Sequence, residues 1–392
     1  MSEGLTCEVL VVGAGINGAA TAFHLTEHGT DVILLDRGHP ASGPTGSSSA
    51  LTHAFYLDPA LSRLGHRGCE LLRHMPESIG YPSDYRACGM MWACGAEAAP
   101  EWGEAVERIR GEGARIESLT PEQLSEVAPD FAMTGIALGV WEPDGGYADP
   151  ATATNSLVAA ACDRGARLLV GSEVIRLVVS DDRITGVRLA DGRAIHAGHV
   201  VLAAGPWTKG LLDAIGVQLP LFIERHPMAV LRAPGMATAV MPFSWCDDVF
   251  THYARPDGDS VVLVGTWSGG GTGIRHGTDE LPRVLSTPAE LVRSVSLDES
   301  ERIVQHVVPR VPKLSELGVS EGYADLYDMS PDDLPLIGPL PQLQGLYVIA
   351  GSSGHGFKTG PAVGEEVARE LRGDASPLLM PFRPDRDFEA SR

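Results

Sequence analysis

Gly13-Ala14-Gly15-Ile16-Asn17-Gly18 sets three glycines at the spacing G-x-G-x-x-G, and Asp36 follows 23 residues after Gly13. The chemistry open to such a set is the holding of a dinucleotide. Gly13 permits a tight turn, Gly15 lets the backbone approach a pyrophosphate, and Gly18 lets a helix pack close to a sheet. A helix beginning near Ile16 and Asn17 turns its free N–H groups and positive dipole end toward phosphate. Asp36 stands where a carboxylate accepts from ribose hydroxyls, which argues against the 2′-phosphate of NADP. Without flanking context the same glycines would mark only a turn in another α/β protein.

A second glycine-rich segment, Gly351-Ser352-Ser353-Gly354-His355-Gly356-Phe357-Lys358, lies near the far end of the chain. Cys7, Cys69, Cys88, Cys94, Cys162 and Cys246 are scattered, with no C-x-x-C pair, and the histidines form no H-E-x-x-H. No metal site is expected.

The elements needed to position these residues can be read around them. Cys7–Val12 is a short apolar run before the glycines, and Val32–Leu35 is another that ends on Asp36. Strand, glycine turn, helix, strand and acid are therefore in order. Gly43–Ala50 is too rich in small residues for a helix interior. Helices are expected over Pro59–His74, Glu101–Arg110, and Pro121–Val127, the last with Thr120 and Gln123 as a capping box. Asp149-Pro150 starts a helix that Gly165 stops. Strands follow at Arg167–Val170, Val174–Ser180, Ile184–Leu189 and His199–Ala204. The chain from Pro220 to about Gly265 reads as β-rich, Gly269–Gly273 as a mobile loop, and Ser300–His306 as a helix. Leu346–Ala350 is a strand, and Pro361–Leu371 a helix ended by Gly373. A nucleotide domain assembled from both ends and the middle of the chain implies a substrate domain inserted in two pieces.

At 392 residues, with 44% apolar residues, the chain is long enough for two domains. A formal net charge of −21 argues against nucleic acid and anionic membrane surfaces as partners. No run approaches a membrane span, and the first apolar run is strand-length, so neither a membrane anchor nor a secretory leader is expected. Dispersed thiols fit a cytoplasmic protein.

Together, Gly13–Gly18 with Asp36-Arg37-Gly38, Ala203-Ala204-Gly205-Pro206-Trp207, Tyr327-Asp328-Met329-Ser330-Pro331-Asp332 and Gly351–Lys358 with Gly360-Pro361 carry a resemblance. The chain resembles the FAD-dependent D-amino acid oxidase superfamily, in the branch of sarcosine oxidase, glycine oxidase and dimethylglycine dehydrogenase. The resemblance implies a mixed α/β fold. A Rossmann-like FAD domain (1–80, 145–219 and 325–392) would carry an inserted substrate domain on a mixed sheet (81–144 and 220–324). It implies oxidation of a C–N bond of an amine, N-methyl amine or amino acid by hydride transfer to flavin N5, with O2 or another acceptor taking the electrons. Oxidation of a hydroxy acid, or flavin binding without turnover, are the alternatives.

By the same resemblance, Gly13, Gly15, Gly18, Asp36 and Arg37 would hold the ADP half of FAD. Ser47 and Ser49 would pass beside the flavin, Val174 would contact adenine, and Gly205 and Trp207 would lie near the cofactor. Gly354, His355, Gly356, Phe357 and Lys358 would cover the flavin pyrimidine edge. Donors there would stabilise the negative charge that arrives with hydride. Lys358 would also hold a substrate carboxylate, a surface lysine being the alternative. Tyr253 would line the substrate pocket, and Trp267, in place of a pocket histidine, would give it an apolar wall. Ordinary packing is the alternative for both. Three departures stand out. His53 matches a carboxylate-clamping arginine and lacks its fork. A residue near Leu263 matches the lysine that promotes reaction with oxygen. Asp325 and Gly46 match the flavin-linking cysteine and histidine, so the FAD is expected to be non-covalent.

Overall fold

The computed structural model describes residues 5–267 and 283–388; the expected loop Gly269–Gly273 lies outside them. The first sheet is built on Leu5–Val12, with Val32–Leu35 parallel on one side and Ala194–Leu202 parallel on the other. Arg167–Leu169 and Leu346–Ala350 extend it in parallel, and Leu336–Pro339 closes one edge antiparallel. Parallel strands covered on both faces must be apolar throughout, and Val9–Val12 is buried at every position. Val9 and Val11 belong to the core under the helices, whereas Leu10 and Val12 join Leu177, Ile184 and Val187 of the Val174–Ser180/Arg183–Leu189 hairpin on the opposite face.

Three helices, Ile16–Thr26, Pro150–Asp163 and Gly356–Leu371, pack together over the first face. The last begins earlier than Pro361, the expected start. Pro361 has no N–H to give to the preceding turn, so it reads as a helix start. The turn before it coils nonetheless, because Thr359 turns back to the His355 carbonyl through its N–H (3.3 Å) and its hydroxyl (3.0 Å). Lys358 is thereby placed in the first turn of a helix and not in the glycine loop.

The second sheet joins segments from both sides of this unit. Phe222–Arg232 lies between Gly318–Met329 and Val261–Thr266, and the order continues through His252–Asp257, Ser244–Asp247, Met90–Cys94, Leu138–Glu142 and Glu117–Leu119. Ser244–Asp247 and Met90–Cys94 run parallel and the neighbouring pairs antiparallel, which makes the sheet mixed. Gly318–Met329 crosses the expected boundary at 325 as one strand of this sheet. Ser296 caps the helix Leu297–Val307, whose Ile303, Val304 and Val307 pack on the sheet. Among the described residues, no helix is long and apolar enough to cross a membrane.

Candidate active site

The glycine turn opens on a cavity of about 350 Å³. Gly13 adopts φ +103°, and a Cβ there would sit 2.4 Å from the Ala203 carbonyl oxygen; one at Gly18 would sit 1.9 Å from the Gly13 oxygen. Side chains at either position would break the strand–turn–helix junction. The Asp36 carboxylate accepts from the N–H of Ala14 (2.8 Å) and of Gly38 (2.7 Å). It is thus fixed before any ligand binds, with lone pairs left on both oxygens.

Of the residues expected around a dinucleotide, Gly13, Gly15, Ile16, Asn17, Asp36 and Arg37 line one stretch of this cavity. Val174, Gly205 and Trp207 line another, and Gly354, Gly356 and Phe357 a third. Gly18 lies in the first turn of the helix Ile16–Thr26, against the glycine turn, and does not face the cavity. Ser47 lines neither this cavity nor the next; its hydroxyl donates to Asp325 (2.6 Å). The sequence reading missed Thr45, whose hydroxyl accepts from the Ile16 N–H (3.2 Å), and Ser48, Tyr327, Asp328 and Ser352. Thr45 and Ser48 belong to the small-residue segment already singled out; Tyr327, Asp328 and Ser352 belong to two of the segments that carry the resemblance, but were not assigned to the cleft. An elongated cleft with a glycine turn, a fixed carboxylate and a helix N-terminus at Gly356 fits the adenosine, pyrophosphate and flavin parts of FAD.

A second cavity, of about 140 Å³, adjoins the first, and Ser48, Tyr327, Gly354 and Phe357 line both. Lys358, His53, Tyr253, Trp267, His355 and Ser49 all face it. Lys358 is buried, so it is not a surface lysine. Its ammonium stands 5.8 Å from the Tyr56 ring centroid, with no hydrogen-bond or ion-pair partner among the described residues. Burial lowers its pKa to about 8. His53 and His355 are both held neutral: burial and the neighbouring Lys358 push His53 well below the usual histidine range and His355 down to about 3. The His53 Nδ1 stands 3.2 Å from the Phe55 carbonyl, so Nδ1 carries the proton and Nε2 the lone pair. A neutral His53 cannot stand in for an arginine clamp.

Tyr253 and Trp267 are stacked, with centroids 5.7 Å apart and planes 7° apart, and the Tyr253 hydroxyl donates to the Met228 sulfur (3.1 Å). Trp92 and Trp102 complete an aromatic wall that the sequence reading missed. Leu263 lies in an apolar cluster with Tyr253 and Trp267. No group of three or more metal-ligating side chains occurs among the described residues.

A model of the DAO family, described as FAD dependent oxidoreductase, matches residues 8–370. The chain is 27% identical over 368 residues to 4-methylaminobutanoate oxidase (formaldehyde-forming) of Paenarthrobacter nicotinovorans, covering 92% of this chain and 43% of that relative's length. It is 26% identical to sarcosine oxidase subunit beta of Arthrobacter sp, covering 97% of this chain and 90% of that one. The fold matches L-proline dehydrogenase from P. horikoshii with a TM-score of 0.85 and 25% identity, covering 100% of both chains.

Proposed function

The chain belongs to the DAO family of FAD dependent oxidoreductases, and we propose that it oxidises the C–N bond of an amine bearing one carboxylate and an apolar body. FAD is its cofactor; when bound, it supplies the two-electron acceptor for the hydride that leaves the carbon next to nitrogen. The observation that carries the substrate reading is Lys358, a buried cation with no hydrogen-bond or ion-pair partner among the described residues, in an aromatic cavity that abuts the dinucleotide cleft. A desolvated ammonium binds a carboxylate far more strongly than an exposed one. With His53 and His355 neutral, Lys358 is the group left to hold it. The stacked Tyr253 and Trp267, with Trp92, exclude water and accept an apolar substrate body. Tyr327, Gly354 and Phe357 form the seam across which substrate and cofactor would meet.

We assign the first sheet and its helices to the FAD domain, and the second sheet to the substrate domain. The six cysteines are free, which suits the cytoplasm, and the acidic surface disfavours nucleic acid. Oxygen or another molecule takes the electrons.

Anaerobic mixing with sarcosine, L-proline, 4-methylaminobutanoate, N-methyl-L-tryptophan and the matching 2-hydroxy acids tests this reading. Bleaching of the flavin band by carboxylated secondary amines, fastest with an apolar body, is expected. Bleaching by hydroxy acids alone, or by none, would overturn it.

A further inference from the structure

A small cavity of about 40 Å³ lies behind the substrate cavity, and His53 is the residue common to the linings of both. Its inner end holds Glu142. Its outer end reaches groups exposed to solvent: the side chains of Asp144 and Arg115 are 34% and 69% exposed. The space admits on the order of two waters, and a buried water needs polar partners. Partners are present. The Nε of Arg73, on the same wall, is buried without a hydrogen-bond partner, while its Nη1 stands 3.1 Å from Asp144.

Glu142 is 4% exposed. Its carboxylate takes the N–H of Ala54 (2.6 Å) and of Phe55 (3.2 Å), the two residues that follow His53. No salt bridge neutralises it among the described residues. A carboxylate that lines the same small cavity as the neutral His53, at the back of the reaction pocket, has a use that packing alone does not supply.

The proposed reaction creates that use. An alkylamine enters from neutral water as R–NH2⁺–CH2R′, since its pKa lies near about 10. The nitrogen must first lose a proton, because its lone pair becomes the C=N π bond as the C–H pair leaves as hydride to FAD. The product R–NH⁺=CHR′ then adds water and yields R–NH3⁺ and O=CHR′. Each turnover therefore releases one proton and consumes one water, besides the hydride taken by FAD. Once substrate fills the aromatic cavity, a proton lost there needs an exit.

We propose that His53 and Glu142 form that exit, passing the substrate nitrogen's proton through the small cavity to solvent between Arg73, Arg115 and Asp144. The Nε2 lone pair of His53 takes the proton only in passing, since burial and Lys358 keep the ring from holding it, and gives it up from the same nitrogen to water in the small cavity, because Nδ1 is bound to the Phe55 carbonyl. Burial raises the Glu142 pKa to about 7, against the pull of the two N–H groups and Lys358, so it can both take and release a proton near neutrality. Of the other groups around it, Tyr56, Cys69, Tyr85 and Cys246 are pushed upward and stay protonated there. His66, Glu70, Arg73, Arg115 and Asp144 line the small cavity, and Lys358 acts on Glu142 from the substrate side.

The inference rests on the amine reading above, and the test separates the two. Flavin reduction is measured anaerobically at saturating N-methyl-L-tryptophan or L-proline in wild type, Glu142→Gln and Ala114→Leu. The second variant fills the outer cavity and leaves Glu142 and His53 in place. Both variants should be slower than wild type by about tenfold or more at neutral pH. The ratio should fall to within about twofold near pH 10, where about half of the substrate arrives already neutral. A purely structural defect would not be cured by alkali. Wild-type rates at neutral pH in either variant, or a deficit that persists at alkaline pH, would overturn the exit. Failure of the wild-type flavin to bleach at all would instead overturn the amine reading.

Discussion

The Arg37 guanidinium carbon lies 3.7 Å from the centroid of the Trp207 ring, and both side chains line the dinucleotide cleft. Arg37 follows the carboxylate that anchors the glycine turn, and Trp207 ends the short helix after Ala194–Leu202. The stack therefore ties together, over the dinucleotide cleft, the ends of the two strands that flank Leu5–Val12. Such contacts contribute about 0.5–2 kcal/mol. Trp207→Ala should weaken FAD binding by about two- to thirtyfold, read by titrating apoprotein with FAD. An unchanged dissociation constant would mean the indole plate does not act on the cofactor.

Asp325 gives a second prediction. The resemblance sets it at the place of a flavin-linking cysteine, and its Oδ2 is engaged by the Ser47 hydroxyl and by Arg293. A carboxylate so occupied is a poor candidate for a covalent attachment. Acid precipitation should release the whole of the flavin into the supernatant, measured by absorbance. Yellow colour retained in a washed pellet would refute non-covalent binding.

The cofactor half of the site was more legible than the substrate half, for a physical reason. Gly13, Gly18 and Asp36 do their work within a single strand–turn–helix–strand unit, so local spacing reports it. Thr45 and Ser48 were visible only as members of a small-residue segment. Trp92 and Glu142 reach the site through pairing of Met90–Cys94 and Leu138–Glu142 in the second sheet, and Trp102 through the helix Ala99–Gly111 packed against that sheet, contacts no local pattern encodes. Lys358 was found by resemblance, but its placement in a helical turn was obscured by Pro361. The strand Gly318–Met329 hid the passage between the sheets, because one strand carries residues of both cavities.

Leu263 bears on the electron acceptor. It is 6% exposed and packs with Tyr253 and Trp267. The nearby Arg255, its register partner, is already bound to the carbonyls of Ser49 and Pro256 and to Asp257. A cation positioned to stabilise developing superoxide is worth several kcal/mol in a dry site. With an apolar residue there, substrate-reduced enzyme should react with air at least about tenfold more slowly than with a quinone or phenazine dye. Stopped-flow reoxidation reads both rates. Rapid reaction with air would show that another cation, Lys358 in the substrate cavity being the first candidate, serves oxygen.

Lys358 makes the sharpest pH prediction. Burial lowers its pKa to about 8 from the usual lysine value, so the free enzyme carries the ammonium below that pH and loses it above. A carboxylate substrate should therefore bind well at neutral pH. Its KM should climb by about tenfold per unit once the pH passes the lysine's pKa. Lys358→Met removes the charge at every pH. It should raise KM at neutral pH, slow flavin reduction by an order of magnitude or more (about tenfold), and abolish the alkaline limb near pH 8 that wild type shows in kcat/KM. An amine lacking a carboxylate should show neither the limb nor the KM penalty. The limb's persistence in Lys358→Met would assign it to another group and remove Lys358 from substrate binding.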